Sequence, residues 1–203
     1  PVPVTADVYM AWDSEHFYFA MELKNVKDHY NAEMINEYLW KGDCLQIQIA
    51  ESVSANRYEL GFAYSSGRKS QLSYQWFPTP GETGLERQKD YMAIHKSGTT
   101  VYEIALPVSY FSKKTDLFKP GAKIPFSFAL HVYDKNDPAY EEDTTGGITP
   151  GCFYEWAQGV VGGPLEKQIT KAATITLGDG GGGKPIITTT TTTIKTSGGG
   201  TST

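Results

Sequence analysis

The stretch "VYMAWDSEHFYFAMEL", residues 8–23, decides the fold. Val8, Met10 and Trp12 alternate along its first half, "DSEH" turns the chain, and Phe17, Phe19, Met21 and Leu23 alternate on the way back. A period of two puts every second side chain of an extended strand on the same face, so the segment predicts an antiparallel hairpin with one apolar side. The same pattern recurs outward from it. Leu45, Ile47 and Ile49 are expected to face a core with Cys44, Gln46 and Gln48 opposite, and Tyr58, Leu60, Phe62 and Tyr64 repeat the alternation. "SSGRK" closes a hairpin onto "QLSYQWF", "KSGT" turns between "YMAIHK" and "VYEIAL", and "IPFSFALHVYD", "CFYEWAQ" and "AATITL" supply the last strands. Helix-compatible stretches are short, "NAEMINEYLW" and "PVSYF". Many short strands with little helix predict an all-β fold, a two-sheet antiparallel β-sandwich of immunoglobulin-like or jelly-roll-like kind with one or two helical turns.

With 203 residues, 39% of them hydrophobic, the chain can build one good-sized core but hardly two. The expected boundaries are a sandwich over residues 1–178 and a tail over 179–203. That tail, "DGGGGKPIITTTTTTIKTSGGGTST", has no aromatic residue and cannot form a core. It reads two ways: as a Thr-rich linker open to O-glycosylation, or as a strand of β-branched threonines added to a sheet edge of its own domain or of another copy of the chain.

A net charge of −5 without a Lys/Arg cluster removes the attraction that phosphate backbones or anionic lipid require, so nucleic acid is excluded as a partner. No apolar run approaches the roughly 20 residues of a spanning helix, which argues against membrane insertion. Cys44 and Cys152 sit in expected strands that could be neighbours, so a disulfide between them is one reading and two buried thiols the other. Enzymatic motifs are missing: there is no G-x-S-x-G, no H-E-x-x-H and no phosphate-binding Gly loop, while Ser66–Lys69 spells S-x-x-K in a turn rather than on a helix. The chain is therefore expected not to be an enzyme.

Taken together, "VYMAWDSEHFYFAMELKN", "LWKGDCLQIQI", "VYEIALPVSYF", "GAKIPFSFALHVYDKND" and "YEWAQ" resemble the family 9 carbohydrate-binding modules, over most of residues 4–178. The wider superfamily includes the haem-binding cytochrome domains of extracellular dehydrogenases. In sugar-binding members the resemblance implies two tryptophans sandwiching a terminal sugar ring, with charged and amide side chains on its hydroxyls. Trp40 matches the first tryptophan, and Gln46 stands at the acidic position six residues on. The second sandwich tryptophan is implied in the loop after Trp156, where this chain reads "GVVGGPLEKQ" without an aromatic, and an implied arginine falls near Glu59. Glycan or polysaccharide is the implied partner, and an extracellular or cell-surface location the implied setting.

Beyond that match, Trp76 with Tyr74 ends a strand beside the Pro/Gly loop "FPTPGETG", where a flat indole could serve as a replacement sugar platform, and Gln48 and Glu59 are the neighbouring polar candidates. Trp12 and Trp156 share parity with core positions. The run "DKNDPAYEEDTTGG" gathers Asp134, Asn136, Asp137 and Asp143, hard oxygen ligands that suit calcium, although the spacing matches no EF-hand. His131 with Met10 or Met21 would echo Met/His haem ligation, but no c-type attachment sequence accompanies it, and a hydrogen-bonding surface role fits better. Two functions follow: a non-catalytic extracellular glycan-binding module, or a structural module of a fibre or surface layer whose tail docks on its neighbour.

Overall fold

A computed structural model describes residues 5–24, 31, 35–52, 57–111, 117–132, 152–160, 168–178 and 190–193. The strands are β1 (Thr5–Trp12), β2 (His16–Lys24), β3 (Cys44–Ala50), β4 (Arg57–Ser65), β5 (Ser70–Phe77), β6 (Tyr91–Lys96), β7 (Thr99–Pro107), β8 (Lys123–Val132), β9 (Cys152–Glu155), β10 (Ala173–Thr176) and β11 (Thr190–Thr193). Short 3₁₀ turns lie at Asn36–Lys41, Val108–Tyr110 and Ile169–Lys171. One sheet runs β11-β1-β2-β7-β6, and the other runs β10-β8-β3-β4-β5 with β9 also paired to β8. The two-sheet antiparallel sandwich expected from the alternation is the fold.

The founding hairpin forms for a local reason. Asp13 Oδ1 accepts the backbone N–H of Glu15 and of His16, each at 2.7 Å, and Oδ2 accepts the Tyr18 hydroxyl at 2.8 Å. This side-chain turn reverses the chain so that Trp12 meets Phe17 and Val8 meets Met21 across the ladder. Partial burial pulls the Asp13 carboxyl upward, but the hydrogen bonds from Glu15, Tyr18 and His16 outweigh it and hold the group below its ordinary value.

Packing follows from parity. Phe17 and Phe19 of the first sheet meet Phe126 and Phe128 of the second, with ring centroids 5.5 Å apart for Phe17–Phe126 and 5.3 Å for Phe19–Phe128. Met21, Leu45, Ile47, Leu60, Phe62, Tyr102 and Leu106 complete a core closed to solvent. Each such side chain contributes about 1.5–3 kcal/mol of burial. Trp12 packs against the edge of this core, and Trp156 stacks on Phe128 at 5.6 Å with the rings nearly parallel.

The tail threonines of β11 pair antiparallel with half of β1, Thr5 opposite Thr193 and Val8 opposite Thr190, so this strand lies on the sheet edge of its own domain. The proposed bridge between Cys44 and Cys152 is overturned. Cys44 pairs with His131 on one side of β8, while Cys152 pairs with Val132 on the other. Two strand spacings, roughly 10 Å, then separate the backbones, beyond the about 7 Å between Cα atoms that a disulfide tolerates. Cys44 is a free, buried thiol, and that burial, with the charge of Asp43, pushes its pKa up.

Candidate functional site

The second sheet has an outer face of unusual make-up. Cys44, Gln46 and Gln48 of β3 lie beside Glu59, Gly61 and Ala63 of β4 on one side and Ser127, Ala129 and His131 of β8 on the other. Alternation put these residues opposite the core, as expected, but not in solvent. Gln46 is 3% exposed, Gln48 0%, Glu59 1% and His131 4%. The expectation of open amides, and of a surface His131, is corrected by what crosses over them.

That cover is the turn after β9 with the 3₁₀ turn Ile169–Lys171. Ala157 exchanges hydrogen bonds with Ser127, donating its N–H to Oγ at 3.2 Å and accepting the hydroxyl through its carbonyl. The Val160 N–H donates to Glu155 Oε1 at 2.6 Å, and the Val160 carbonyl stands 3.5 Å from Gln46 Nε2. Gly159 has φ +103°, and a Cβ built there would stand 2.3 Å from the Gln168 carbonyl oxygen, so only glycine lets the two segments close over the sheet.

Under this cover the polar groups pair. Gln46 Nε2 donates to Glu59 Oε1 at 2.6 Å, while Gln46 Oε1 and His131 Nε2 share a 2.8 Å hydrogen bond. Arg57 lies 3.8 Å from Glu59 Oε2 and stacks its guanidinium over the Phe77 ring at 4.4 Å. Gln48 stands directly opposite Glu59, yet neither atom of its amide has a hydrogen-bond partner among the described residues. Leaving such groups unpaired costs about 1–3 kcal/mol each.

Beside the polar floor lies an aromatic rim. Leu39, Cys44, Ala63 and Leu72 form a second small apolar cluster on this outer face, and Trp40, Tyr74 and Trp76 pack on it. A register shift in the β4–β5 ladder leaves Trp76 between the pairs Leu60–Gln75 and Glu59–Phe77, a bulge that re-aims its side chain. Its indole lies over Gly61, where a Cβ would stand 2.3 Å from Cη2, and its Nε1 donates to the Glu37 carbonyl at 3.0 Å. Gly61 pairs with Gln46 on one side and Tyr74 on the other, so indole and amide are neighbours. The Tyr74 ring meets Trp76 edge-on at 5.8 Å. Lys41 sits 5.8 Å from the Trp40 ring and 4.9 Å from that of Tyr38.

All six expected sugar contacts, Trp40, Gln46, Gln48, Glu59, Tyr74 and Trp76, thus share one face. Ser127 and Val160 join them without having been expected there, and His131 joins them buried rather than at the surface. The one local signal was Gly61, a glycine inside a strand, which marks close approach. Asp134, Asn136, Asp137 and Asp143 lie outside the described residues. His131 faces outward from the second sheet, whereas Met21 is in the core and Met10 packs on the core side of β1, so the sheet separates them from it. Among the described residues no helix is long and apolar enough to cross a membrane.

No protein-family model and no curated protein matches the sequence. The solved structures that share its fold include two family 9 modules. One is a carbohydrate binding module family 9 (CBM9) from Caldicellulosiruptor kristjanssonii in complex with glucose, covering 91% of this chain and 82% of that one, with 12% identity and a TM-score of 0.54. The other is a family 9 module from the same organism in complex with cellotriose, covering 90% of this chain and 79% of that one, with 13% identity and a TM-score of 0.52.

Proposed function

We propose that this chain is a non-catalytic carbohydrate-binding module of a larger extracellular or cell-surface protein, and that its glycan meets the outer face of the second sheet at the Trp40–Tyr74–Trp76 rim. The observation that carries the reading is the Trp76 indole laid over Gly61, with the Tyr74 ring edge-on to it and Trp40 on the same apolar cluster. A pyranose ring has an apolar face that rests on an aromatic plane, and hydroxyls that pair with amides and carboxylates. The indole supplies the apolar half at the rim, and the hydroxyls of Tyr38 and Tyr74 supply the polar half, since Gln46 and Glu59 are sealed and bonded to each other. The fold held in common with modules bound to glucose and cellotriose supports the same class of ligand.

The test is retention on immobilised polysaccharides. Trp76→Ala removes the platform, and Gly61→Ala forces the indole off the sheet without deleting it; each is expected to weaken retention by about tenfold or more. Unchanged retention in both variants, with circular dichroism reporting an intact fold, would remove this rim from the reading.

A further inference from the structure

The outer face of the first sheet carries a groove that the rim does not use. Its volume is about 350 Å³. Across the ladders Tyr9 stands opposite Ala20, and Ala20 opposite Glu103; one row along, Ala11, Tyr18 and Ala105 follow in the same order. Large and small residues therefore alternate like a checkerboard, with three methyl groups forming a shallow apolar floor between two phenol rings. Tyr9 and Tyr18 are diagonal neighbours, which aromatic side chains can span.

One wall is rigid. The turn at 86–90 is closed by hydrogen bonds from the Gln88 N–H to the Tyr91 carbonyl at 2.9 Å and from the Asp90 N–H to the Glu86 carbonyl at 2.8 Å. The Ala105 N–H then ties the Asp90 carbonyl to β7 at 2.7 Å. Gln88 holds φ +64°, a left-handed conformation uncommon outside glycine, and lines the groove. The Tyr18 ring is fixed by its hydroxyl bond to Asp13. The site is thus formed before any ligand arrives, which lowers the ordering cost of binding.

Charge narrows the occupant. Lys24 is engaged by Asp7 at 2.5 Å and Lys89 by Glu86 at 2.8 Å, so Glu22, Glu103 and Asp90 leave the surroundings net negative. A polyanion is repelled there. A partner with a flat apolar face and uncharged hydroxyls fits: the methyl floor and phenol rings take the C–H face, and the exposed Glu103 carboxylate and the Gln88 amide can take hydroxyls.

We propose that this groove binds neutral saccharide chains, as a second carbohydrate site separate from the rim on the opposite sheet. The ligand class follows from the groove's own chemistry and does not depend on the rim. The experiment follows the Ala11, Ala20 and Ala105 methyl resonances in protein labelled at alanine methyls. Cellohexaose, xylohexaose, mannohexaose and the polyanion polygalacturonate are added to about 5 mM sugar chain, enough to report millimolar affinity.

Saturable shifts of these methyls with at least one neutral hexaose and none with polygalacturonate are expected. Tyr9→Ala should weaken that binding about tenfold, and Trp76→Ala should leave it unchanged. Ala20→Arg should abolish it, and if that variant misfolds, Tyr9→Ala alone decides. Silent methyls with all three neutral probes, equal shifts with polygalacturonate, or loss of the shifts in Trp76→Ala would each overturn the proposal. Groove shifts that persist while polysaccharide retention proves indifferent to Trp76 would sink the rim reading and leave this one standing.

Discussion

The two sheets turn their cores toward each other with the same physics, yet their outer faces differ. On the first, Tyr9, Ala20 and Glu103 lie in a row in an open groove beside a rigid turn. On the second, Gln46, Gln48, Glu59 and His131 are closed beneath the turn at 157–160, while Trp40, Tyr74 and Trp76 stay partly exposed along the rim. The difference is one of dielectric. A carboxylate in water interacts weakly with its neighbours, whereas Glu59, away from water, depends on the hydrogen bond from Gln46 and the charge of Arg57. Buried polar networks specify a single arrangement, while an open face leaves its groups available to a ligand.

Truncating one carboxylate on each face breaks the comparison most directly. Glu59→Ala removes the acceptor of the Gln46 amide and the partner of Arg57, and is expected to cost about 3 kcal/mol or more. Glu103→Ala on the open face is expected to stay within about 0.5 kcal/mol. Urea unfolding midpoints of the two variants settle it; equal losses would mean that the covered face is as wet as the open one.

A smaller effect of opposite sign is expected at Gln48. Its amide is sealed from water with neither polar atom bonded among the described residues, so the isosteric apolar replacement Gln48→Met should raise stability by about 1–3 kcal/mol. A destabilised Gln48→Met would mean that the amide is satisfied in solution and that the floor is more polar than its bonds indicate.

The smallest effect lies at Asp13, which holds Tyr18 at the end of the open face. Its folded pKa is lowered, so its charge contributes stability that is present above the unfolded carboxylate range and lost as pH falls through the folded value. Wild type should exceed Asp13→Asn by less than about 1 kcal/mol at pH 7, because the carboxylate is partly solvated. Thermal melts should converge once pH has fallen below the lowered folded value, where both side chains are neutral. A gap that survives acid would assign the effect to turn geometry rather than charge.

Much of the architecture was legible in residues 8–23 alone, since a strict period of two has one low-energy meaning when every second residue is large and apolar. The same rule assigned Gln46, Gln48 and His131 to the face away from the core. What it could not assign was the environment of that face. Alternation relates a side chain to its own sheet and says nothing of a segment 30 to 114 positions later in the chain, Ala157–Val160, that folds over it. The bulge that turns Trp76 onto Gly61, and the placing of β8 between Cys44 and Cys152, are likewise relations between strands distant in sequence. Local pattern determined the sheets and their inner faces because hydrophobic burial acts on each strand as it pairs. Only the tertiary structure decided which outer face is sealed and which is open, because solvent exclusion is a property of what lies above a residue and not of the residue itself.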